Sequence, residues 1–152
     1  MLNNNDILRS IRYALDLPDA GIHDLLVLQG YAIAPSTIAQ LLRKEEDPDF
    51  LTCEDALLIA FLDGLIVLKR GARNDHAPTA RHLTNNLVLK KIRIAFDLKE
   101  ADLHAIFALA DFQISRPELS AIFRNPDNKN YRQCGDQLLR NFLKGLTIRL
   151  RT

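Results

Sequence analysis

The segment NNDILRSIRYALDL at residues 4–17 returns as NNLVLKKIRIAFDL at residues 85–98. Sliding the chain against itself by 81 residues, without a gap, carries the match from Asn4 on Asn85 to Arg70 on Arg151, and about a third of the aligned positions are identical. Chance rarely keeps register that long. EDALLIAFLDGL at residues 54–65 reappears as GDQLLRNFLKGL at residues 135–146. The chain therefore divides into a first repeat, residues 1–71, a linker, residues 72–84, and a second repeat, residues 85–152. Gly, Pro, Asn and small polar residues mark the linker.

Each repeat reads as helix throughout. Ile7, Leu8, Ile11, Ala14 and Leu15 recur at three and four positions, the stripe of one helix face, and Val88, Leu89, Ile92, Ala95 and Phe96 reproduce it. A second helix is expected over about residues 20–29, and a third, opened by APST, carries Ile38, Leu41 and Leu42. The fourth and longest starts near Cys53, with Leu57, Leu58, Phe61, Leu62 and Leu65 on its apolar stripe. The predicted fold is all-α: two tandem, pseudo-symmetric copies of a four-helix unit, about eight helices, packed together because a lone unit of about 70 residues buries only a marginal core.

Several paired polar residues receive structural expectations. Asn5 and Asn86 sit where an N-cap would accept a first-turn N–H. Gly64 and Gly145, inside the long helices, are expected to permit close crossing of a neighbouring backbone. Arg12 and Asp16 stand in the less favourable order for a pair on one helix, as do Arg93 and Asp97, so Arg12 is expected to pair with Asp55 and Arg93 with Asp136. Thr52, three before Asp55, suggests a capping-box variant at the fourth helix.

Catalytic chemistry is the least favoured class. Cys53, His23 and Asp55 are the types that thiol catalysis uses, but a lone thiol at the start of a buried helix is more often packing. No phosphate-binding glycine loop, H-E-x-x-H motif or nucleophile elbow occurs, and the two cysteines form no C-x-x-C. No catalytic residue, metal site or cofactor is predicted. No apolar run approaches the roughly 18 residues of a membrane span, and MLNNND lacks the basic and apolar run of a secretory leader, so the expectation is a cytoplasmic protein.

Charge gives the best functional clue. Residues 1–76 hold 7 Lys and Arg against 12 Asp and Glu, net −5, whereas residues 77–152 hold 13 against 7, net +6. Such asymmetry suits head-to-tail association or an anionic partner for the basic half. The expectation is a non-enzymatic helical interaction module with an unknown protein partner or self-association. The alternative is weak nucleic-acid binding through Lys90, Lys91, Arg124, Lys129, Tyr131 and Arg132, where an aromatic interleaves with cations. Residues 24–43 also loosely suggest a helix-turn-helix carrying Ser36, Thr37, Gln40 and Arg43, although the turn is about two residues too long and the second copy places Asp111 and Glu118 there. A plain helical hairpin is favoured.

The motifs NNDILRSIRYAL and LLRKEEDPDFLTCEDALLIAFLDGL, with FRNPDNKNYRQCGDQLLRNFLKGL in the second copy, closely resemble the YehS-like bacterial family, a duplicated domain of unknown function. The resemblance covers essentially the whole chain. It implies a small, helical, cytosolic bacterial protein and brings no established activity and no assigned catalytic residues.

Overall fold

A computed structural model describes residues 2–71 and 82–152. They form eight helices and no strand: α1 (Asn4–Leu15), α2 (Asp19–Leu28), α3 (Pro35–Leu41), α4 (Asp55–Arg70), α5 (Asn85–Ala95), α6 (Glu100–Leu109), α7 (Arg116–Ile122) and α8 (Asp136–Arg151). The expected linker falls mostly on residues 72–81, which lie outside the described residues.

Local chemistry starts each helix. The α1 N-cap is Asn3, whose side chain accepts the Asp6 N–H while the Asp6 carboxylate accepts the Asn3 N–H. In the second repeat Thr84 takes that place and accepts the Leu87 N–H. The caps therefore sit two positions before Asn5 and Asn86, which lie inside the helices and are buried. Likewise α4 is capped at Glu54 without a side-chain bond, so the expected Thr52 capping box does not form. At the other end of α1 and α5, Asp16 and Asp97 adopt left-handed backbones, as do Gly30 and its repeat partner Asp111 after α2 and α6. Aspartate tolerates that region better than most residues, so one turn geometry survives the exchange of glycine for aspartate.

The packing interleaves the repeats. Within each repeat the second helix lies against the long fourth, α2 on α4 and α6 on α8, but α1 packs chiefly on α8 and α5 on α4. Each repeat thus lays its first helix on the other repeat's last helix. A single apolar core results, running from Ile7, Leu8 and Ile11 through Phe61 and Leu62 to Phe107, Phe142 and Leu146. Around it the two-fold relation recurs in polar contacts: Arg70 meets Asp97 at 3.0 Å and Arg151 meets Asp16 at 4.0 Å.

Gly64 and Gly145 mark the α2–α4 and α6–α8 crossings. A Cβ on Gly64 would lie 2.9 Å from the Leu25 carbonyl carbon, and one on Gly145 would lie 2.8 Å from that of Ile106, with the carbonyl oxygens closer still. Backbone rather than a flexible side chain occupies the space, so neither helix can yield locally. Helix propensity alone would favour alanine by about 1 kcal/mol. Overpacking dominates here: Gly64→Ala and Gly145→Ala should each cost about 2–3 kcal/mol or more and lower the thermal midpoint by about 5–10 °C, measured by calorimetry. A rise in midpoint would contradict the crossing argument.

Candidate functional site

The repeated asparagines are clamps. Asn5 donates through Nδ2 to the Leu41 carbonyl at 2.9 Å and the Leu51 carbonyl at 2.8 Å, and its Oδ1 accepts the Cys53 N–H at 2.9 Å. Asn86 repeats the triple on Ile122, Arg132 and Cys134 at 2.9, 2.8 and 2.8 Å. One buried amide thereby ties the loop after the short third helix to the first helix. The preceding asparagine reaches the start of the long helix: Asn4 donates to the Cys53 carbonyl and to Asp55 at 3.1 and 2.7 Å, and Asn85 to the Cys134 carbonyl and Asp136 at 3.0 and 2.9 Å.

Each aspartate then spans the repeats. Asp55 also accepts the N–H of Leu83, at 3.4 Å, and the Leu2 N–H lies near enough to Asp136 to favour its charged form. The Asn85 bond, ahead of that N–H and the charge of Arg140, holds the Asp136 carboxyl below the usual aspartate range. The expected pairs Arg12–Asp55 and Arg93–Asp136 are not made, because asparagines and backbone donors occupy those carboxylates. Arg12 instead lies 3.7 Å from Asp19. Arg93 donates from Nε to the Leu98 carbonyl at 3.0 Å and stacks over Phe123 at 4.7 Å.

The thiols are inert by environment. Burial, then the negative charge of Asp55 and Glu54, pushes the Cys53 thiol up to about 12; burial and Asp136 do the same to Cys134. A thiol nucleophile needs the opposite shift. The Cys53 sulfur contacts the Glu54 carbonyl at 3.7 Å, while His23 faces Asp24 at 3.8 Å, so no hydrogen bond among the described residues joins Cys53, His23 and Asp55. Among the described residues no group of three or more His, Cys, Asp or Glu could hold a metal. No helix of the described residues is long and apolar enough to cross a membrane.

The basic residues divide. Lys91 is bonded to Asp63 at 2.5 Å across the α4–α5 seam, with side chains only 16% and 13% exposed, so it serves the repeat interface rather than an open surface. Lys90, Arg124 and Tyr131 line one groove of about 230 Å³ with Asn86, Phe123 and Pro126. Lys129 and Arg132 are exposed on the same loop as Tyr131. The hairpin of α2 and α3 lacks the form of a DNA reader: six residues separate the helices, α3 has only seven, and Arg43 is engaged by Asp49 at 3.3 Å. The Asn5 and Asn86 clamps were invisible in sequence because their partners lie 36 to 48 positions away; only the pairing of the two asparagines signalled them.

A duplicated all-α protein, whose two units interlock because each lays its first helix on the other's last and is pinned internally by matched asparagines, is the class that this arrangement defines. The chain belongs to the family described as "Protein of unknown function (DUF1456)", which matches residues 4–71 and again residues 85–152. It is similar to the "Uncharacterized protein YehS" of Escherichia coli (strain K12), 46% identical over 149 residues, 96% of this chain and 95% of that protein. No solved structure matches the chain.

Two outcomes follow from the clamp geometry. Asn5→Ala should cost about 3 kcal/mol or more, since it orphans two carbonyls and an N–H, whereas Asn4→Ala, half-exposed, should cost about 1 kcal/mol; denaturant melts distinguish them. With thiols held at about 12, alkylation of native protein at pH 8 should run about a thousandfold or more below that of a free cysteine and accelerate only on unfolding. Rapid labelling of folded protein would contradict the burial argument.

Proposed function

We propose that the chain is a non-enzymatic interaction module that works through charged surface, with self-association head to tail as its concrete form. One observation carries the reading: a pseudo-symmetric pair of loops carries opposite charge. The loop between α3 and α4 sets Arg43 and Lys44 against Glu45, Glu46, Asp47, Asp49 and Glu54, net −3, with Asp49 paired to Arg43, whereas the corresponding loop between α7 and α8 sets Arg124, Lys129 and Arg132 against Asp127 alone, net +2. A basic loop of one copy suits the acidic loop of the next, a heterologous contact whose strength depends on ionic strength. Sedimentation velocity of the full chain should show species above the monomer at about 20 mM salt that dissociate by about 500 mM. Lys129→Glu with Arg132→Glu should abolish them. A strictly monomeric profile at low salt would sink this form of the proposal.

Nucleic acid remains the second reading, supported by Lys90, Arg124 and Tyr131 around one groove. Phosphate neutralisation releases counterions, so binding to the full chain should be weak, indifferent to sequence and steeply weakened by salt. The acidic first repeat would confine contact to residues 85–152. Oligonucleotide titration at low and physiological salt tests it, and Lys90→Ala with Arg124→Ala should flatten the salt slope. No binding even at low salt would remove the reading.

A further inference from the structure

The two seams that join the repeats occupy equivalent places but differ in chemistry. In the α4–α5 seam, Ile59 and Ile66 are buried to 2% and 4%, and Asp63 neutralises Lys91. At the matching positions of the α1–α8 seam stand Arg140 for Ile59, Thr147 for Ile66, Lys144 for Asp63 and Ser10 for Lys91. The second seam packs along its length but is not filled at these positions. It leaves a groove of about 360 Å³ lined by Arg9, Ser10, Tyr13, Arg140, Lys144 and Thr147, over a floor of Leu2 and Leu143.

Three cations and three hydroxyl-bearing side chains, Ser10, Tyr13 and Thr147, line this space, and no carboxylate does. Arg9 is engaged by Asp6 and by the Arg43 carbonyl, and Asp136 lies near enough to Arg140 for their charges to interact. Arg140 and Lys144 are exposed and form no ion pair among the described residues. Four apart on one helix, they repel each other, and an anion between them would relieve that repulsion. Beside them the Tyr13 ring is 57% exposed, and Arg151 lies over it at 4.2 Å. The size falls at the lower end of small-molecule sites.

We propose that the α1–α8 groove binds a small phosphorylated molecule with an aromatic body, of nucleotide size, its phosphate held by Arg140 and Lys144 and its body against Tyr13. The Ser10 hydroxyl can donate to a phosphate oxygen. Arginine supplies planar paired donors and lysine a compact charge, a combination that suits a multiply charged phosphate better than a single carboxylate. The site lies on different residues from the Lys90–Arg124–Tyr131 groove.

Isothermal titration of the full chain at low salt tests this with AMP, ATP, adenosine and citrate. ATP and AMP should bind and raise the melting temperature, while adenosine and citrate should bind at least about tenfold more weakly. Transplanting the closed seam, Ser10→Lys with Arg140→Ile, Lys144→Asp and Thr147→Ile, should abolish nucleotide binding and raise the ligand-free melting temperature. Should that variant fail to fold, Arg140→Gln with Lys144→Gln, both at exposed positions, should still weaken ATP binding by about tenfold or more. Absence of nucleotide binding, equal binding of citrate, or unchanged affinity in the Gln variant would each overturn the proposal.

Discussion

A buried primary amide with three backbone partners holds each repeat in shape. Asn5 and Asn86 each satisfy two carbonyls and one N–H from a buried side chain, adding to the backbone bonds by which the loops between the third and fourth helices hold the preceding helix. An unsatisfied buried backbone group is costly, so the Asn5 and Asn86 bonds favour having loop, first helix and start of the long helix in place together. Asn4 and Asn85 extend the tie to Asp55 and Asp136, which lie beside the segments that lead into the opposite repeat's first helix: Asp55 accepts the Leu83 N–H, and the Leu2 N–H lies near Asp136. Folding within a repeat and docking between repeats share the same carboxylates.

The exchange of first helices explains why duplicated units of about 70 residues form one core. A lone unit would leave its first helix without its main partner, because α1 packs chiefly on α8 and α5 on α4. The glycine crossings fix a second contact within each unit by bringing α2 and α6 close to the long helices. The framework is thus held at matched points, and the residues between those points can change without disturbing it.

Divergence has used that freedom unevenly. The α4–α5 seam is filled by isoleucines and a Lys91–Asp63 pair, while a cationic groove flanks the α1–α8 seam. The loops after α3 and α7 hold the same fold with opposite charge. The repeated Cys53 and Cys134 have not diverged, and their thiols sit beside carboxylates in desolvated sites.

Much of the architecture was legible in the chain itself. An 81-residue register and three-to-four spacing of apolar residues determine two copies of four helices, because helix periodicity and repetition are local properties of sequence. The glycine positions were legible too, since a helix interior accepts glycine readily only where something else needs the space. Tertiary structure decided the partners. Asn5 looked like a cap and proved a clamp; Arg12 looked bound for Asp55, which Asn4 and Leu83 occupy instead. Lys91 looked like surface and proved an interface charge, while Arg9, Arg140 and Lys144 gathered around a groove from opposite ends of the chain. Hydrogen-bond and charge partners depend on which helices meet, and helices more than 100 residues apart met here because each repeat lays its first helix on the other's last.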